Sequence, residues 1–266
     1  MSLDDHDEQA RMRRARAGPW GSAAPELPDP LPPRVGQAMT NRVRFSSIAF
    51  FVLMVFVVGA RAYNDLSRPE AWAYWKDLYF SPGMAASRIA NTDPDGSGRL
   101  RPGLVIRGTI GAATASWFRD QLDEAHLVAG DTVLMSSPGG DLNQAIIMGE
   151  VIRSRGLVTA VGVIDSSGHI RPSYCASACV LVYAGGKSRV GIEGSMLGVH
   201  RFAALTPGPD PVAETQRIAG MVLSYMTRMG VSSSVVEAMS MTGDIRWLGA
   251  KEAAAMSLIT VPVERP

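Results

Sequence analysis

Tyr174-Cys175-Ala176-Ser177-Ala178-Cys179-Val180 sets a serine between small residues. A polar, glycine-containing loop (166–173) precedes it, and a run of small and apolar residues (178–185) follows. That change marks a loop handing Ser177 to the first turn of a buried helix. Free N–H groups and the positive dipole end at such a turn stabilise nearby negative charge. The flanking alanines let a substrate carbonyl come close. Taken alone, the stretch reads equally as a Ser/Ala/Cys packing turn, so its surroundings decide.

Working outward, strand-like and helix-like segments alternate. Leu104-Val105-Ile106 is a short apolar run between turn residues, a strand. Residues 114–128 carry Trp117, Phe118, Leu122 and Ala125 at helical spacing, closed by Gly130. Residues 132–135 read as a buried strand, 142–155 as a helix and 157–164 as a strand. After Ser177 come a helix (178–183), strands at 189–192 and 196–199, and a long amphipathic helix (211–229). Asp210 suits that helix's N-cap, Pro211 its first position and Gly230 its stop. Helices at 233–241 and 250–256 complete the chain, with Trp247-Leu248 leading into the second. Such alternation implies parallel strands joined by crossover helices, an α/β domain.

The N-terminal part differs. Acidic Asp4, Asp5, Asp7 and Glu8 give way to Arg11, Arg13, Arg14 and Arg16, then to Pro19, Pro25, Pro28, Pro30, Pro32 and Pro33. With few apolar side chains to offset ordering entropy, residues 1–44 are expected to be a disordered cytoplasmic tail. Phe45 to Ala60 is uncharged and strongly apolar, bracketed by Arg42, Arg44 and Arg61. Residues 45–62 are therefore expected to form a transmembrane anchor, with the excess of arginines before the run keeping the tail inside. Ala60-Arg61-Ala62 also has the small-x-small form of a cleavage site, so a signal sequence is the alternative. Residues 63–102 read as a juxtamembrane helix and linker, with Trp72, Tyr74, Trp75, Tyr79 and Phe80 suited either to a membrane interface or to packing on the domain. Asp93-Pro94-Asp95-Gly96-Ser97-Gly98 has the opening of a calcium loop but not its closing glutamate, and is read as a linker turn. The α/β domain is expected over 103–266.

A net charge of +1 gives no global field for nucleic acid. Two cysteines without a CxxC pair make no zinc-ribbon signature, and no metal or cofactor is expected. At i, i+4 a bridge between Cys175 and Cys179 has demanding geometry, so two buried thiols are expected, with a disulfide as the alternative in an oxidising compartment.

Three features converge on acyl transfer. Ser137-Pro138-Gly139-Gly140 closes a strand and opens a helix, and its glycines leave N–H groups unobstructed, as an oxyanion hole requires. The segment lacks a P-loop lysine and a GxGxxG pattern, which excludes the common nucleotide sites. Ser177 is the candidate nucleophile. Of His6, His126, His169 and His200, only His200 ends a strand, where α/β sheets place working residues. Asp244, at another element boundary, is the candidate orienting acid.

Taken in order, Ser137-Pro138-Gly139-Gly140, the Ala-Ser-Ala at Ser177, Ala184-Gly185-Gly186 with Arg189, Gly198-Val199-His200 and Leu248-Gly249-Ala250-Lys251-Glu252-Ala253 resemble the successive motifs of the Clp protease proteolytic subunit. They are similar above all to the membrane-anchored or exported ClpP-like proteins of bacteria. The resemblance implies a ClpP/crotonase-like fold of repeated strand-strand-helix units over about 103–263. It implies Ser177 as nucleophile, His200 as base and Asp244 as acid, with Gly140 and Ala178 N–H groups as the oxyanion hole. A peptide or protein substrate, a homo-oligomer and a periplasmic domain on the inner membrane follow from the same resemblance. No ATPase motif is present, so the expected peptidase is ATP-independent. The sequence departs from the family in a longer gap between Gly140 and Ser177, one extra residue after Asp244, Ser257 for a glycine, and the cysteines around Ser177.

Three other readings stand beside the Ser-His-Asp peptidase. One is a Ser-Lys dyad drawing on Lys76, Lys187 or Lys251. Another is acyl-CoA chemistry using the oxyanion hole alone. The third is a catalytically idle ClpP-like module that assembles or binds.

Overall fold

The computed structural model describes residues 37–80, 83–202 and 209–263, with the backbone alone described for 37–45 and Phe80. It divides into two units, one ending at Ala60 and one running from Arg61.

A single helix, α1, covers Gln37–Leu66. It starts at Gln37, so residues 37–44 are helical rather than part of a disordered tail; the rest of that tail lies outside the described residues. Within it Ser46–Leu66 is long and apolar enough to cross a membrane. Its 21 residues rise about 31 Å at 1.5 Å each, close to the thickness of a bilayer's hydrocarbon core. Ile48, Phe50, Phe51, Leu53 and Phe56 are all exposed, so among the described residues nothing buries this apolar surface.

In the second unit, α2 (Pro69–Trp75) runs into a π-helical turn (Lys76–Phe80). Strands β1 (Met84–Thr92) and β2 (Arg101–Gly108) then form an antiparallel hairpin whose turn is the Asp93–Gly98 segment. There Asp93 accepts from the N–H groups of Ser97 and Gly98. The expected linker over 63–102 is thus corrected: Met84–Thr92 is a sheet strand. Its Met-Ala-Ala-Ser-Arg-Ile-Ala-Asn-Thr sequence buries only its end residues, so no alternation marks it.

From β2 the chain continues through α3 (Thr114–Ala125), β3 (Thr132–Ser136), α4 (Leu142–Ser154), β4 (Val158–Val161), β5 (Val163–Ile164), β6 (Ile170–Arg171) and β7 (Tyr174–Ala176). Next come α5 (Cys179–Ala184), β8 (Ser188–Ile192), β9 (Met196–Val199), α6 (Pro211–Arg228), α7 (Ser233–Ser240), β10 (Arg246–Leu248), α8 (Ala250–Ala255) and β11 (Val261–Val263). The architecture is α/β. A six-stranded sheet has the order β1-β2-β3-β4-β8-β11, parallel from β2 onward. A three-stranded sheet, β10-β9-β7, stands apart and carries the site.

The expected strand over 157–164 breaks at Gly162 into β4 and β5. The extra polar loop folds as a β5–β6 hairpin, in which Arg171 and the N–H groups of His169 and Ser167 hold the half-buried Asp165 carboxyl below its ordinary range. The largest core cluster is built around α3, α4 and α5, with Phe118, Leu122, Met148, Ile152, Leu181 and Tyr183 almost wholly enclosed. Helices α4 and α5 approach closely: a Cβ on Gly149 would stand 1.8 Å from Tyr225 Oη, and one on Gly185 would stand 2.3 Å from the Gly149 carbonyl.

Arg189 is buried, and among the described residues no carboxylate pairs with it. Its guanidinium donates instead to the carbonyls of Leu258, Gly186, Met229 and Ser257, tying together the chain after α5, α6 and α8. Burial, then the charge of nearby Arg153, pulls its pKa down.

Candidate active site

Register brings the site together. Strand β7 runs parallel to β9 with Ala176 opposite Gly198, so both C-terminal ends lie at one edge of the small sheet. Ser177 leaves the end of β7 and His200 the end of β9. Strand β10 is antiparallel to β9, with Arg246 opposite Val199, so the residues just before β10, Asp244 among them, lie at that same edge. The Arg201 N–H extends the pairing to the Thr242 carbonyl at 2.9 Å. The three sequence candidates therefore leave three adjacent strands at a common end.

Ser177 occupies a sharp turn. Its φ is +57°, a left-handed value that costs a non-glycine residue about 1–2 kcal/mol. The surroundings hold it there: its N–H donates to the Gly198 carbonyl at 2.8 Å, and its own carbonyl accepts from the Val180 N–H at 3.0 Å. Cys175 and Cys179 close around it as a disulfide with Cα atoms 5.3 Å apart, both cysteines fully buried. The expectation of two buried thiols is corrected. The left-handed turn folds strand and helix back on each other, bringing residues four apart within bridging range. Ser177 itself is half-buried, and its Oγ makes no hydrogen bond among the described residues.

The glycine strip lies against this turn. Ser137 joins β7 through its N–H to the Tyr174 carbonyl at 3.1 Å and its carbonyl to the Ala176 N–H at 3.0 Å. Gly139 follows at φ +100°, where a Cβ would stand 2.8 Å from Ser177 Cβ and 2.9 Å from the Ala178 nitrogen. The Ser137 hydroxyl accepts from the Gly139 N–H at 3.0 Å and fixes the bend. Gly139 and Asp141 are pinned to Ile110 on either side, while the N–H groups of Gly140 and Ala178 have no acceptor among the described residues. Two free donors thus flank a serine that a side chain at 139 would obstruct.

His200 is half-buried, and its Nδ1 stands 2.8 Å from the Arg201 carbonyl. A carbonyl only accepts, so in this contact Nδ1 is the donor, and Nε2 is the ring nitrogen left for a base's role. Asp244 is exposed, and among the described residues no hydrogen bond joins it to His200. The Arg201 carbonyl's hold on the imidazole has no signal in the sequence pattern, whereas the disulfide was the alternative that the two cysteines offered.

Next to His200, a cavity of about 190 Å³ is lined by Arg201, Phe202, Ile218, Val222, Val236 and Met239, with walls from α6 and α7. Of the lysines, Lys187 belongs to the turn before β8 and Lys251 to α8, while neither is at the β7–β9–β10 edge. Among the described residues no group of three or more His, Cys, Asp or Glu side chains is arranged to hold a metal ion.

No family model matches the chain and no curated protein matches it. Among solved structures, ClpP1 from Listeria monocytogenes is similar at 18% identity and a TM-score of 0.47, over 61% of this chain and 91% of that one. A point mutant of the same protein gives 17% and 0.47. A structure titled as a membrane-bound stomatin-specific protease is similar at 16% identity and 0.44, over 61% of this chain and 78% of that one. The roles of individual residues rest on the geometry of this chain.

Proposed function

We propose that the protein is a membrane-anchored, ClpP-like serine peptidase that works by acyl transfer without ATP. The observation that carries this reading is Ser177 held at positive φ between a strand and a helix, with His200 leaving the neighbouring strand and two free N–H donors beside it. Such a turn exposes a nucleophile while keeping its backbone fixed.

In the proposed cycle Ser177 Oγ attacks a peptide carbonyl as its proton passes to His200 Nε2. The oxyanion is received by the N–H groups of Gly140 and Ala178. Return of that proton to the amine nitrogen expels the leaving group, and water, activated by the same imidazole, releases the acyl product. Asp244 is assigned the acid role, stabilising the imidazolium from the β10 side. The apolar cavity beside His200 suits an apolar substrate side chain.

The buried disulfide supports a location of the domain in an oxidising compartment, and with one apolar span it supports the periplasmic side of the bacterial inner membrane. Assembly into a homo-oligomer is part of the same reading.

The test uses the full chain in detergent without nucleotide, given peptide anilides that vary in the residue before the scissile bond. Turnover of apolar peptides, abolished by Ser177→Ala, is expected. Equal release by the Ser177→Ala protein would contradict the reading.

A further inference from the structure

The juxtamembrane helix has two faces, one half-buried against the domain and one exposed. Ala71, Tyr74, Asp77 and Leu78 are half-buried and turned to the domain. Tyr74 Oη lies 3.3 Å from Ser116 Oγ, and Asp77 accepts from the N–H groups of Gly83 and Ala113 at 3.0 and 2.9 Å. A Cβ on Gly111 would stand 2.5 Å from the Asp77 carboxylate, so the seat is tight. α2 and its π-helical turn are therefore fixed to the start of α3.

The other face carries Trp72, Trp75, Lys76 and Tyr79, all exposed, with Trp72 62% and Tyr79 66% accessible. Trp75 and Tyr79 stack with ring centres 5.4 Å apart and planes 12° from parallel. Each ring has an apolar body and a polar tip, the composition that partitions to the boundary between headgroups and acyl chains. Lys76 among them suits anionic headgroups. The candidate span ends at Leu66, six residues before Trp72, a tether of at most about 21 Å even fully extended.

We propose that Trp72, Trp75 and Tyr79 form a lipid-interface foot that seats the domain on the membrane surface. The occupant is the bilayer rather than a protein, because the face is the amphipathic aromatic kind and its tether cannot leave the vicinity of the span. The foot would turn a flexible leash into a two-point attachment. This inference rests on the membrane-anchored reading, and its test separates the two.

The full chain is reconstituted into phosphatidylcholine vesicles containing a tenth anionic lipid, with or without phosphatidylcholine brominated high on the acyl chains. Wild type is compared with Trp72→Phe/Trp75→Phe, which leaves the docked face untouched. Retention on the vesicles after alkaline carbonate, with wild type losing roughly two fifths of its tryptophan emission, the share of two rings in five, is expected. The variant should lose little. Retention with no difference between the two proteins overturns the foot alone. Release by carbonate overturns the anchor, and the foot with it.

Discussion

At the scale of single residues, the site depends on what is absent as much as on what is present. Gly139 has no side chain at a point where any Cβ would press on the Ala176 carbonyl, Ser177 and the Ala178 nitrogen. Gly139→Ala must push the strip away from the serine and misplace one of the two donors. The expected loss in kcat is about 10²–10³-fold, as for removal of one oxyanion donor, with the fold kept by circular dichroism. His200 and Asp244 differ in another way. His200 is the proposed base and the histidine at this edge among the described residues, so His200→Ala should cost about 10⁴-fold in kcat/KM. The Arg201 carbonyl already accepts from the imidazole's Nδ1, so Asp244→Asn should cost less, about 10²-fold or under, measured on the same peptide. Ser177, His200 and the glycine pair were legible in the sequence because each stands where an apolar run meets a turn. The disulfide was legible only as an alternative to two thiols: it depends on the left-handed φ of Ser177, and residue spacing alone does not carry a backbone angle.

At the scale of elements, the small sheet does the work of convergence. Parallel pairing of β7 with β9 and antiparallel pairing of β9 with β10 bring the three candidate residues to one edge. The strands and helices that bury a continuous apolar stretch or face were readable. Three strands, the nine-residue β1 among them, were not. Strand β1 is rich in small and polar residues, β10 has three residues with only Leu248 buried, and β11 carries Pro262 within an edge strand. Such strands are defined by the partner they find rather than by their own pattern. Behind the site, α5 holds the serine turn against α4 through the Gly149–Gly185 approach, with Tyr225 Oη donating to the Leu181 carbonyl at 2.8 Å. Gly149→Ala would drive a methyl into that hydroxyl. The expected destabilisation is about 1–3 kcal/mol by denaturant unfolding, the usual cost of overpacking a tight contact.

At the scale of the whole molecule, a 30-residue helix containing one candidate span leads into an α/β unit that begins at Arg61. The unit is closed by contacts remote in sequence. Arg189 gathers carbonyls from beyond three helices, and Arg153 donates to the Met229 carbonyl at 2.8 Å and to that of Ala184. These loops are bound by the buried Arg189 and the half-buried Arg153, whose planar guanidinium groups each satisfy several carbonyls at once. The proposed exported location draws on two separate features of this frame, the buried Cys175–Cys179 bridge and the arginines that precede the candidate span.

The central claim, an activated serine at 177, is tested most directly by fluorophosphonate labelling of the full chain in detergent, beside Ser177→Ala and His200→Ala. Covalent labelling of the wild type that disappears in Ser177→Ala and falls sharply in His200→Ala is the predicted result. A folded wild-type protein that takes no label, or labels equally without Ser177, would contradict it.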